Sequence, residues 1–214
     1  ICGGSIIKRD VVLTAAHCLL MPGFNTTASN IYAGSMDVSE VGLYLQRRKI
    51  KEFIAHEDYW GDVMSEYSHD IALIKLTRPF NFEASKGRIG TVCLSEMPPR
   101  PGKVVTIAGW GFTSLFGPPS DHLLAITVPV INEKICRNTH SFYYRPKLMF
   151  CAGENSKQAG PGDSGGPALM TTAGKSFQVG IASFQNPKKL YTSVVFTKVS
   201  TYAEWIAETL KKLK

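Results

Sequence analysis

Gly162-Asp163-Ser164-Gly165-Gly166-Pro167 sets a serine between glycines, a layout that lets the backbone turn sharply and lie close to a substrate carbonyl. Ser164 is therefore a candidate nucleophile. A serine hydroxyl is weak until a neighbouring base takes its proton, so this chemistry also requires a histidine and a carboxylate to orient it. Taken alone, the motif equally fits an ordinary glycine-rich turn or the G-x-S-x-G elbow of α/β-hydrolases.

Chain order narrows the choice. An α/β-hydrolase places its histidine after the serine, whereas the last of the five histidines here is His140. A lipase-like esterase thus lacks its base. A subtilisin order would need an aspartate before the histidine, and Asp10, in a polar turn, is the only one ahead of His17. What remains is His, Asp, Ser. Thr14-Ala15-Ala16-His17-Cys18 ends an apolar strand with two small residues beside an imidazole, and His69-Asp70-Ile71-Ala72-Leu73 puts a carboxylate at the mouth of a buried strand. A carboxylate shielded from water there needs a partner, and His17 is the one this order predicts.

The chain resembles the chymotrypsin and trypsin family of serine endopeptidases. The matching segments are Cys2-Gly3-Gly4-Ser5, Thr14-Ala15-Ala16-His17-Cys18, Asp70-Ile71-Ala72-Leu73, Ala108-Gly109-Trp110-Gly111, Gly162-Asp163-Ser164-Gly165-Gly166-Pro167, and residues 199–206 with Tyr202 and Trp205. They run from end to end in the family's order. The resemblance implies attack by Ser164 on the scissile carbonyl, proton transfer by His17, and orientation of the imidazole by Asp70. It implies an oxyanion hole from the N–H groups of Gly162 and Ser164. Asp163 matches the carboxylate that receives the new N-terminal amine on activation. Ser183, Phe184 and Gln185 match the edge that pairs with the substrate backbone.

Substrate choice is where the sequence departs from the family. Gln158 matches the base of the primary pocket, where trypsin-like members carry an acid, so a cationic side chain has no carboxylate to pair with. Gln185 and Val194 match glycines of roomier pockets, which narrows the expectation to small or medium apolar side chains. A catalytically silent homologue that binds a partner is the alternative. Two family disulfides are absent, with Gly160 at one end of the first and Val105 and Met170 at the ends of the second. Cys2 with Cys18 and Cys136 with Cys151 match the family's bridges. No Cys/His spacing suits zinc, the loop matching the family's calcium site has too few carboxylates, and no metal or cofactor is expected. His56, His69, His122 and His140 are read as structural or surface residues.

Positioning these groups falls to short β-branched and aromatic stretches punctuated by Gly, Pro, Asn and Asp, the pattern of an all-β protein. Candidate strands are Val11–Thr14, Asn30–Ala33, 50–54, 71–76, 104–108, 123–128, 177–184 and 194–199. A Gly/Pro-rich stretch at 83–102 divides the chain. The resemblance implies two packed six-stranded antiparallel Greek-key β-barrels, trypsin-like: a first barrel at 1–82, the linker at 83–102, a second barrel at 103–199 and a closing helix at 200–214. Tyr202, Trp205, Ile206, Thr209, Leu210 and Leu213 share one helical stripe, with Thr201 and Glu204 as a capping box. A shorter helix is read over residues 132–136.

With 214 residues and 24 Lys+Arg against 17 Asp+Glu, the net charge is +7. The basic clusters Arg47, Arg48, Lys49 and Lys51, Lys188 and Lys189, and Lys211, Lys212 and Lys214 lack the interleaved aromatics of a nucleic-acid platform. A sulfated glycosaminoglycan fits such a surface better, beside protein or peptide substrates and protein protease inhibitors. No apolar run reaches the roughly 18 to 20 residues of a membrane span. Asn25-Thr26-Thr27 is a glycosylation sequon, in keeping with a secreted, extracellular or granule protein. Five cysteines leave Cys93 over, and the resemblance ties it to an N-terminal segment preceding Ile1. The chain is accordingly expected to be an N-terminally incomplete peptidase domain, poorly active by itself.

Overall fold

The computed structural model describes residues 1–39, 42–59, 67–113, 117–140, 143–154, 159–185 and 193–213. The strands are β1 (Ser5–Lys8), β2 (Val11–Thr14), β3 (Asn30–Ala33), β4 (Gln46–Ala55), β5 (Ala72–Leu76), β6 (Cys93–Leu94), β7 (Val104–Gly109), β8 (Leu124–Pro129), β9 (Met149–Ala152), β10 (Pro167–Thr172), β11 (Lys175–Gln185) and β12 (Val194–Lys198). They form two curled antiparallel sheets, the double half-barrel of a trypsin-like fold. The first runs β1-β2-β5-β4-β3; the second runs β8-β7-β10-β11-β12-β9, with β6 added in parallel to β11. Among the described residues the two sheets hold five and seven strands. The stretch at 83–102 also does more than link, because Cys93 and Leu94 pair with Phe177 and Gln178.

Each sheet closes on its own core. Val12, Ile50, Ala72, Ile74, Leu76 and Phe80 fill the first, and Val105, Ile107, Val128, Phe150, Val179 and Phe196 fill the second. Met170 packs against the second core that holds Val105. A third cluster joins the sheets: Leu13, Ile71 and Leu73 meet Ile181, Val199, Tyr202 and Ile206. Ser5 in β1 also donates to the fully buried Gln178 in β11 at 2.5 Å. This satisfies a buried amide across the seam.

The C-terminal stripe docks onto that seam, but the helix begins differently from the expectation. A 3-10 turn occupies Val199–Tyr202 and α3 spans Ala203–Lys212, with no side-chain cap. Thr201 does not close a capping box. Its hydroxyl donates instead to the Lys147 carbonyl at 3.1 Å. Trp205 donates to Glu57 at 2.9 Å, pinning the helix to the segment after β4. Helix α2 spans Glu133–His140, longer than the 132–136 expectation, and a single turn, α1 (His17–Leu20), follows β2.

The β4 alternation turns one basic residue inward. Arg48 is buried, with its guanidinium donating to the Pro79 and Arg47 carbonyls and to Gln46, and lying over the Phe80 ring. Arg47 and Lys49 remain outward, so the basic cluster is narrower than the sequence suggests. Among the described residues no helix is long and apolar enough to cross a membrane.

Candidate active site

Three turns meet at the seam. β2 is buried throughout, and the fully buried Ala15 and Ala16 bring the chain into α1, which starts at His17. Across the first sheet, Tyr67 and His69 take left-handed φ values of 49° and 58° just before Asp70 and β5. In the second sheet, Gly162 and Gly165, with φ of 94° and 79°, flank Asp163 and Ser164 ahead of β10. A Cβ on Gly165 would lie 2.2 Å from Thr14 Oγ1. Only glycine permits this approach of the serine turn to β2.

Asp70 is completely buried and multiply bonded. Its Oδ1 accepts from the His17 N–H at 2.9 Å, and its Oδ2 lies 2.7 Å from His17 Nδ1 and accepts from Ser183 Oγ at 2.5 Å. Thr197 holds the Asp70 carbonyl at 2.9 Å. A buried carboxylate persists only with such partners. Burial pulls the His17 imidazole towards its neutral form, but the hydrogen bond and negative charge of Asp70 outweigh it, and the pKa is raised.

Ser164 borders the same space. Cys18 Sγ lies 3.7 Å from His17 Nε2 and 3.7 Å from the Ser164 carbonyl, and that carbonyl accepts from the Gly3 N–H at 2.7 Å. His17 Nε2 and Ser164 Oγ make no direct hydrogen bond among the described residues, and such contacts are often long without substrate. Cys2–Cys18 and Cys136–Cys151 are both bonded, and Cys93 is a free, exposed thiol. The Cys2–Cys18 bond removes both sulfurs as thiolate ligands for a metal beside His17.

Asp163 is held by backbone amides of the surrounding turns. It accepts from the Gly111 and Gly160 N–H groups at 2.8 Å each. Burial raises its pKa, and the two amides only partly offset that. A Cβ on Gly109 would sit 1.9 Å from its Oδ1.

Beside Ser164 lies a pocket of about 60 Å³ lined by Ala159, Gly160, Pro161, Ala182, Ser183, Phe184, Gln185 and Val194. Val194 is buried in the wall, and Gln185 Oε1 is buried with no hydrogen-bond partner among the described residues. Gln158, expected at the base, lies outside the described residues.

Sequence reasoning missed an aromatic wall next to His17. Tyr67 stacks on Phe184 at 4.9 Å, Tyr143 lies edge-on to both rings at 6.2 Å, and Tyr67 stands edge-on to the His17 ring at 6.5 Å. No periodic pattern links residues that come from three separate segments.

A family model described as Trypsin matches residues 1–206. Duodenase-1 of Bos taurus is 31% identical over 217 residues, covering 100% of this chain and 80% of that protein. Trypsin eta of Drosophila erecta is 33% identical over 211 residues, covering 96% of this chain and 76% of that protein. The family model and both relatives extend over nearly the whole sequence, and the chain belongs to the trypsin family of serine endopeptidases.

Proposed function

We propose that this chain hydrolyses peptide bonds through Ser164, His17 and Asp70, and prefers small or medium side chains at the residue whose carbonyl is attacked. The observation that carries the mechanism is the buried Asp70 carboxylate on His17 Nδ1 at 2.7 Å. That contact fixes the proton on Nδ1 and leaves Nε2 as the base. His17 takes the Ser164 proton as Oγ attacks the carbonyl and an acyl-enzyme forms. It then returns that proton to the leaving amine, and water repeats the cycle to release the acid.

The N–H groups of Gly162 and Ser164 have no acceptor among the described residues, and they are assigned to the oxyanion. Asp163 is assigned as the activation carboxylate, since a buried acid held among the described residues by two amides gains from an ammonium partner. Ser183, Phe184 and Gln185 form the edge that pairs with substrate.

The pocket's size and Val194 support a short side chain, and Gln185 Oε1, without a hydrogen-bond partner among the described residues, would also receive a donor carried by one. The aromatic wall offers apolar contact to a neighbouring substrate side chain. Secretion, glycosylation at Asn25, inhibitor binding and a sulfated glycosaminoglycan on Arg47 and Lys49 belong to the same reading.

A peptide-library cleavage profile of processed protein tests the preference. Cleavage after short apolar or short polar residues is expected, and cleavage confined to arginine and lysine would overturn it.

A further inference from the structure

Next to the turn that carries Asp70, the register of β4 against β5 gathers a second group of side chains that the mechanism does not use. Ala55 pairs with Ala72, and the His56 N–H donates to the Ile71 carbonyl at 3.0 Å. His56, just past β4, thereby comes beside His69, which lies two residues before Ile71. Their rings are 4.6 Å apart between centroids. His56, Asp58 and His69 each offer one ligand atom, and the three atoms lie within 4.8 Å of one another.

We infer that His56, Asp58 and His69 form a binding site for a divalent transition-metal ion of the Zn2+ class. Two imidazoles and a carboxylate suit Zn2+, Co2+, Ni2+ or Cu2+, whereas Ca2+ and Mg2+ prefer an all-oxygen shell. Metal–ligand bonds of roughly 2.0–2.2 Å require the donors to draw closer than they stand. The movement falls on Asp58, which is exposed and free to change rotamer, while the two rings are held.

The surroundings supply the outer partners such a site uses. Tyr202 Oη lies 3.2 Å from His69 Nδ1, leaving Nε2 for an ion and offering an acceptor for the Nδ1 proton. Trp205 stacks on the His56 ring at 5.1 Å and Glu57 adds negative charge beside it. The non-glycine left-handed conformation at His69 is a locally strained backbone of the kind that marks functional turns. Three protein ligands would leave one coordination position open.

The test is Co2+ titration of the intact protein, followed by visible absorption and by melting temperature, with Zn2+ as competitor. One Co2+ per chain, displaced by Zn2+ and raising the melting temperature, is expected. Asp58→Asn, at an exposed position, should weaken binding by about tenfold or more. His69→Asn, which tolerates positive φ, should remove the absorption band, and melting of each metal-free variant verifies its fold. His122→Asn, at the separate His122–Asp37 pair, should bind as wild type. Failure of the wild-type protein to bind Co2+, or wild-type binding by both Asp58→Asn and His69→Asn, would overturn the site. These readings do not depend on Ser164 chemistry.

Discussion

Ser183, near the end of β11 in the second sheet, donates its hydroxyl at 2.5 Å to the carboxylate of Asp70, which precedes β5 in the first. The bond crosses the seam, so the carboxylate that orients His17 is aimed jointly by both sheets. Removing the hydroxyl leaves Oδ2 with His17 alone. A hydrogen bond to a charged group contributes about 1.5–3 kcal/mol, so Ser183→Ala should lower kcat/KM by roughly 10- to 100-fold. Steady-state kinetics on a peptide substrate checks this, and an unchanged kcat/KM would remove Ser183 from the positioning role.

The pH profile follows from the same contact. His17 must be neutral to act as a base, and Asp70 raises its pKa above 6.5. Activity should fall as pH drops through that raised value, placing the acid limb of kcat/KM above 6.5. Asp70→Asn should shift the limb down and lower kcat by about 10⁴-fold, a magnitude carried over from serine proteases with this triad. The stability effect has the opposite direction. With its folded pKa raised, the charged pair contributes fully below about pH 6.5, and that contribution is lost as pH rises through the folded value. Denaturant midpoints of Ser164→Ala across this range would show it without self-digestion.

Gly109 and Gly111 form the cradle of Asp163. A Cβ at Gly109 would meet Oδ1 at 1.9 Å, and one at Gly111 would meet the carboxylate carbon at 2.6 Å. Gly109→Ala should destabilise the fold by about 1–3 kcal/mol, the range for overpacking. Combined with Asp163→Ala, which removes the obstacle, the two changes should be strongly non-additive. Melting temperatures of the four proteins form the cycle, and simple additivity would contradict the clash.

The Cys2–Cys18 bond closes a loop with a sequence separation of 16, and its Cys18 sulfur touches both His17 and Ser164. Replacing both cysteines with serine should cost about 3 kcal/mol in the chain-entropy account. It should also lower kcat, because the turn carrying His17 loses its tether. Urea midpoints and kinetics measure the two effects separately.

Much of this architecture is legible in local sequence, for reasons visible in particular segments. The strand Val11–Thr14, buried on both faces, coincides with its β-branched run, and the closing helix with its apolar stripe. Strand β9, Met149–Ala152, is buried throughout and has no alternation to reveal it, and β10 opens on a proline. Thr201 misleads as a cap because the 3-10 turn delays the helix and Lys147 offers another acceptor. The contact of His17 with Asp70 is readable from chain order, which also singles out the serine turn. The wall of Tyr67, Tyr143 and Phe184 and the grouping of His56 with His69 depend on tertiary packing and strand register, which composition and periodicity do not encode.

The central claim is that Ser164 is the nucleophile activated by His17 and Asp70. Labelling of processed protein with a fluorophosphonate, with the adduct located by peptide mass spectrometry, tests it most directly. One adduct on Ser164, slow labelling of Asp70→Asn, and none of Ser164→Ala are expected. Equal labelling of Ser164→Ala, or no labelling of the processed wild-type protein, would contradict it.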